Sequence, residues 1–300
     1  MREETTTGPA ELDRIAAPLF VPATHPERFG KALNSMADSV IIDLEDAVAV
    51  SEKEAARDVL SREVSRLPPH RQLLGVRVNG AGTDEIDRDS ELVDELGDRL
   101  DFVVLPEARS TDDLQRLQEL LTGTSPQSSL PVLALIESSQ GLLNAPSIAQ
   151  FPIVKRLALG AADLSEEWEI EPSPEETEFD YARQQLVVAS RAAGLRGPID
   201  SPHMNVRDAD GLKRRLLAVL RLGMKGKLCI HPKQVEPVLR NFVISTEEYR
   251  RLRELAGAFE AAESAGESSM RLQDGAFIDY PVYRRAKKQI ELYEQFHSGE

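Results

Sequence analysis

Residues 40–47, VIIDLEDA, decide the fold: a short apolar run ends in acids, among them Glu45 and Asp46. The arrangement recurs at residues 133–138, LALIES, with Glu137, and at residues 157–164, LALGAADL, with Asp163. A segment apolar on both faces reads as a buried parallel strand. Folds built on such strands place their chemistry just beyond the C-terminal strand ends. Acids that repeatedly follow apolar runs therefore point to an enzyme.

Around these segments, β-rich apolar runs alternate with amphipathic helical stretches, the signature of βα repeats. Candidate strands cover residues 18–23, 39–45, 73–79, 101–108, 131–138, 156–164, 197–202 and 226–232. That number closes a TIM (β/α)8 barrel, and 300 residues hold one such barrel with a short extension. The expected fold is α/β: a barrel over residues 1–245 and a C-terminal helical extension with a lid segment over residues 246–300. The extension is too short for a core of its own, so it is expected to fold over a barrel mouth, its own or a neighbour's. Residues 165–180, SEEWEIEPSPEETEFD, break the pattern with acids and prolines and read as a long surface loop.

A formal charge of -15 disfavours nucleic acid and anionic membrane as partners. No apolar run approaches the ~18 residues of a membrane span, and MREETTTGPAELD lacks the apolar segment of a secretory signal, so a cytoplasmic enzyme is expected. The lone Cys229 reads as a buried structural thiol. No dinucleotide, Walker or G-x-S-x-G fingerprint is present.

Glu137 and Asp163 follow successive strands, so a barrel sets them side by side at its rim, with Glu45 and Asp46 across the mouth. Oxygen-only ligands of this kind suit Mg²⁺, which keeps several waters. Each acid alone is better explained by a helix cap or a solvated charge; their joint placement favours the metal. Arg77, between valines at the end of the third strand, needs a carboxylate or an anionic ligand to offset its burial. It reads as a substrate-oxygen binder, as a salt bridge to Glu45 or Asp46, or as both. Asp279, in DGAFIDYP, is either an acid-base group or a turn-forming aspartate. His231 reads as structural.

Taken in order, LFVPATHPERF, DLEDAV, RVN, LIESSQGLLNA, GAADL, PID, GKLCIHPKQV and DGAFIDYPV span nearly the whole chain. Together they resemble the citrate lyase beta subunit-like group of the HpcH/HpaI aldolase and citrate lyase family. The resemblance implies a TIM-type barrel with a C-terminal extension, usually trimeric, that cleaves or forms a carbon–carbon bond in short β-hydroxyacyl-CoA thioesters such as malyl-CoA or citramalyl-CoA. It makes Glu137 and Asp163 the Mg²⁺ ligands, with Glu137 also on the substrate side. Glu45 and Asp46 would hold metal-bound waters, and Arg77 the oxygen of a keto acid, glyoxylate or pyruvate. Asp279 would act from a neighbouring subunit's lid, and Arg28 and Lys31 are positional candidates for coenzyme A. Thioester hydrolysis, a carrier-protein thioester as in citrate lyase, and a binding homologue without turnover are the alternatives. Ala16 and Ala17 stand where the family commonly has Arg-Ser, and Glu107 stands where PK is usual. The loss of two cations implies weaker anion binding.

Overall fold

The computed structural model describes residues 12–122, 130–271 and 277–297. Contacts divide the chain into two compact units, Met1–Leu239 and Arg240–Glu300.

The first unit alternates β1 (Pro18–Pro22), α1 (Phe29–Leu33), β2 (Ser39–Asp43), α2 (Lys53–Val64), β3 (Leu73–Arg77), α3 (Glu85–Leu96), β4 (Phe102–Leu105), α4 (Thr111–Thr122), β5 (Val132–Ile136), α5 (Ser139–Gln150), β6 (Val154–Leu159), α6 (Ala161–Glu167), α7 (Asp180–Ala192) and α8 (Ala209–Leu222). The helix α9 (Pro232–Phe242) follows in the chain and includes the boundary between the two units. Strands β1 to β6 form one parallel sheet in sequence order. In-register pairing sets Asp43 beside Arg77, so the ends of β2 and β3 lie level.

The seventh and eighth staves differ from expectation: each is reduced to isolated parallel bridges. Ala158 pairs with Ile199, Asp200 with Lys227, and Leu19 with Cys229, which returns the pairing to β1 and closes the ring. Prolines explain the short seventh stave, because Pro198 and Pro202 have no N–H to give a ladder. Between them Ile199 donates to the Leu157 carbonyl at 3.0 Å and Asp200 to that of Gly226 at 2.9 Å. The sixth strand is also shorter than expected, since the chain turns at Gly160 and Asp163 lies in the first turn of α6. Likewise, residues 165–167 of the expected loop belong to α6, and Thr177–Phe179 is a 3-10 turn.

Ile41, Phe102, Val104, Leu133, Ala158 and Ile199 fill the barrel's interior together with Leu12, from a 3-10 turn (Leu12–Arg14). Arg156, fully buried, ties that segment down by donating to the carbonyls of Leu12 at 2.9 Å and Ile15 at 3.2 Å. Burial without an acid partner in hydrogen-bond contact pushes its pKa well down.

Beside the short staves lies a buried charge network. Lys227 Nζ stands 2.5 Å and Arg183 Nε 2.8 Å from the two oxygens of Asp200, and none of the three side chains is exposed. Arg183 and Arg215 also hold Glu176 Oε2, at 2.7 and 3.0 Å. Burial raises the Asp200 pKa, but the charges of Lys227 and Arg183 outweigh it and the net shift is downward. The loop ending at Glu176 is thereby fastened to the barrel wall.

The second unit contains α10 (Thr246–Ser264), the antiparallel strands β7 (Ser269–Arg271) and β8 (Phe277–Asp279), and α11 (Tyr280–His297). Contrary to the expectation from its length, it has a small core, in which Leu252, Leu255, Phe259, Ile278 and Ile290 are buried. Tyrosine–glutamate bonds fasten its two helices, Tyr249 to Glu294 at 2.8 Å and Tyr283 to Glu260 at 2.6 Å. Among the described residues, no helix is long and apolar enough to cross a membrane.

Candidate active site

Arg77 ends β3 and is clamped by the loop that follows β2. Its Nε and Nη2 donate to the two oxygens of Asp43 at 2.7 and 2.5 Å, a bidentate pair. Nη1 donates to Asp46 Oδ2 at 3.1 Å and lies 2.7 Å from Glu45 Oε2, off the N–H direction. The Phe20 ring supports the guanidinium from 5.0 Å. Burial works against the charge of Arg77, yet its bonds to Asp43, with the charges of Glu45 and Asp46 behind them, raise its pKa overall. Both sequence options for a partner are present, but the main one, Asp43, was missed. Its signal was its place as the last residue of a buried strand, level with Arg77.

Glu45 Oε2 is buried and accepts no hydrogen bond. Desolvation pushes the Glu45 pKa up to about 8; Arg77 opposes the rise, and Asp46 and Asp43 add to it. The carboxyl therefore keeps its proton in the folded protein at pH values where the unfolded chain has lost it. The sign follows: the stability Glu45 contributes is full below its ordinary value of 4.5 and is lost as pH rises toward about 8. In urea titrations of metal-free protein, Glu45→Gln is expected to flatten a decline across this window of at most about 1.4 kcal/mol per pH unit. An unchanged slope would mean that Glu45 is ionised throughout.

Glu137 follows β5 directly and is only 5% exposed. Its Oε1 accepts the Glu107 backbone N–H at 2.6 Å. Glu107 reaches that position with φ of +48°, in the left-handed region that costs a side-chain-bearing residue energy. Glycine at 160 is required, because a Cβ there would collide with the Glu137 carboxyl. Burial first, then a hydrogen bond shared with Asp163, pushes the Glu137 pKa well up. Glu137 thus holds a proton more readily than a free carboxyl when nothing else neutralises it. Glu137 and Asp163 line one cavity of about 330 Å³ together with Asp43, Asp46 and Arg77.

A hard divalent cation fits this pair. The facing donors are oxygens, their crowding is relieved by positive charge, and Glu45 leaves a buried oxygen free to accept from a bound water. Among the described residues no group of three or more His, Cys, Asp or Glu is arranged to hold a metal. A cation here would take two carboxylates and complete its shell with water, as Mg²⁺ does.

Asp279 ends β8 in the second unit, where its Oδ1 accepts from Val282 N at 3.1 Å, the turn role weighed for it. Arg28, in the 3-10 turn before α1, and Lys31, in α1, are exposed and are not among the residues lining the cavity. Ala16 and Ala17 are fully buried, and their N–H groups donate to Asp38 Oδ2 at 2.6 and 2.8 Å. Glu107, notable in the sequence for its charge, pairs with Arg109, and it is its backbone that contacts Glu137.

A closed β/α barrel with a clamped arginine facing a carboxylate pair defines an enzyme that handles an anionic oxygen at its strand ends. Residues 17–232 match the HpcH/HpaI aldolase/citrate lyase family, and the chain belongs to it. It is 30% identical over 285 residues to the citrate lyase subunit beta of Leuconostoc mesenteroides subsp. cremoris, covering 93% of each chain. Over 261 residues it is 31% identical to a (3S)-malyl-CoA thioesterase of Cereibacter sphaeroides, covering 87% of this chain and 88% of that one. An L-malyl-CoA/beta-methylmalyl-CoA lyase of the same species is 29% identical over 292 residues, covering 90% and 91%. Among solved structures, CitE of Mycobacterium tuberculosis in complex with magnesium, acetoacetate and coenzyme A superimposes with a TM-score of 0.74 at 28% identity, covering 93% of this chain and 98% of that one.

Proposed function

We propose that this protein is a Mg²⁺-dependent carbon–carbon lyase that cleaves, or forms, a short β-hydroxyacyl-CoA thioester such as malyl-CoA or citramalyl-CoA, with glyoxylate or pyruvate as the keto acid. The observation that carries the proposal is the clamped Arg77 lining the same cavity as Glu137 and Asp163 in a member of this family. Relatives named for malyl-CoA cleavage and a structural neighbour holding magnesium and coenzyme A support it.

Glu137 and Asp163 would hold Mg²⁺, and Glu45 and Asp46 its waters; the ion, when bound, supplies Lewis-acid polarisation of a substrate oxygen. Arg77 donates to the hydroxyl-derived oxygen as it becomes the keto acid's carbonyl. The hydroxyl proton is released to solvent, the bonding pair passes to the thioester α-carbon, giving an enolate, and a proton returned to that carbon closes the cycle. Asp279 is assigned that proton from the ID-x-P motif, acting from a neighbouring subunit of a trimer. Arg28 and Lys31 are assigned to coenzyme A phosphates. Each protein group in this scheme either fixes geometry or offsets charge that develops in the transition state.

Hydrolysis of the same thioesters is the second reading, favoured by the likeness to a malyl-CoA thioesterase. Purified protein with Mg²⁺ and a panel of malyl-, citramalyl- and carrier-protein thioesters separates these. Keto acid and a shortened acyl thioester mean lyase; free hydroxy acid and thiol mean hydrolase. No product from any member of the panel rejects both. Asp163→Asn is expected to raise the Mg²⁺ concentration for half-maximal turnover about 10–100-fold, read by metal titration.

A further inference from the structure

Lys53 is a cation that local preferences alone do not explain. It is the first residue of α2, where the helix dipole disfavours positive charge, and it is 8% exposed. No side chain caps this helix. Burying an ammonium there costs free energy that only well-made hydrogen bonds offset. Its Nζ donates to the backbone carbonyls of Leu44 at 2.9 Å and Glu45 at 3.2 Å, and to Asn79 Oδ1. The acceptors are neutral oxygens, and two of them are the backbone of the acid loop itself.

Behind Lys53 the network continues. Asn79 donates its backbone N–H and its Nδ2 to Asp89 Oδ2 at 2.7 and 2.6 Å, and Nδ2 also donates to Leu44 O at 3.2 Å. Arg57, from α2, holds the other Asp89 oxygen at 2.7 Å. Asp89 is fully buried. On its opposite side the loop is tied by its own amides: Glu45 and Ala47 donate to Asp43 at 3.0 and 3.3 Å, and Leu44 donates to Arg77 O at 3.0 Å. The loop's carbonyls thus meet Lys53 while its acids meet Arg77.

The structure assigns to Lys53 the role of a positioning residue: through Leu44 and Glu45 it holds the acid loop in register with Arg77, and Asp89 holds Asn79 in place beside it. Lys53 touches neither the cavity lining nor the carboxylate pair, so it acts through the loop. A clamp supported in this way keeps Asp43, Glu45 and Asp46 gathered around one guanidinium.

The test is backbone amide exchange by NMR on the full chain, with Lys53→Met as the variant. A buried-core control, Leu60→Ala in the same helix, separates loop register from general destabilisation. In Lys53→Met the Leu44, Glu45 and Ala47 amides should exchange at least about tenfold faster than in the control. Asp89→Asn should move the same amides in the same direction, and it serves if Lys53→Met does not fold. Loop amides as protected as in the wild type, or accelerated equally by Leu60→Ala, overturn the assignment. A kinetic consequence rests on the proposed lyase activity: kcat should fall at least about tenfold with KM within about threefold. Absence of turnover in the wild type would reject the lyase, while the exchange data would still decide on Lys53.

Discussion

Arg77→Met is expected to lower kcat/KM for thioester cleavage at least about a thousandfold, the scale on which loss of a preorganised oxyanion donor is felt. The size follows from the surroundings. Three acids hold the guanidinium in one orientation before substrate arrives, so little reorganisation remains to be made as charge develops. The same three acids make the replacement costly in a second way. Without Arg77 they crowd together uncompensated, and the free energy of unfolding should fall by about 3–5 kcal/mol. Arg77→Lys separates the effects: it restores charge but not the fork that matches Asp43, so stability should return more fully than turnover. Steady-state kinetics beside urea titrations measure both. Turnover within tenfold of wild type in Arg77→Met would remove the arginine from the chemistry.

Asp200→Asn should cost about 3–5 kcal/mol of unfolding free energy and leave the site's own residues untouched. Lys227 and Arg183 both meet Asp200 with no exposure to water, so the amide leaves two buried cations facing one another. Glu176 takes up part of the charge on Arg183, which is why the effect should be larger in Lys227–Asp200 than in Arg183–Glu176. Trp168, the only tryptophan of the chain, reports unfolding of the first unit by fluorescence. A loss below about 1 kcal/mol would place the network among the weak surface pairs.

Much of this was legible in the chain. The apolar runs named the staves, and the acids that followed them lie where a parallel barrel puts strand ends, so Glu137, Asp163 and Arg77, which line one cavity, could be singled out as candidates from the chain alone. Asp43 was not, because an aspartate closing a buried run looks the same whether it faces solvent or the neighbouring strand; only register places it opposite Arg77. Lys53 was hidden for a related reason: nothing local in the sequence marks a lysine whose amine is buried. Glu107 drew attention for its charge, whereas its backbone torsion is what reaches Glu137, and torsion is not written in residue type. The seventh stave carried its own warning in Pro198 and Pro202, which limit any ladder between them.

Where prolines leave few amide links, charge carries what the peptide backbone does not. Acid leaves the hydrogen-bonded ladders of β1 to β6 intact but neutralises Asp200, and stability supplied by an aspartate of lowered pKa is lost as pH falls through that value. Acid unfolding of this cylinder therefore begins along the flank between β6 and β1, as the parting of one weakly stitched seam.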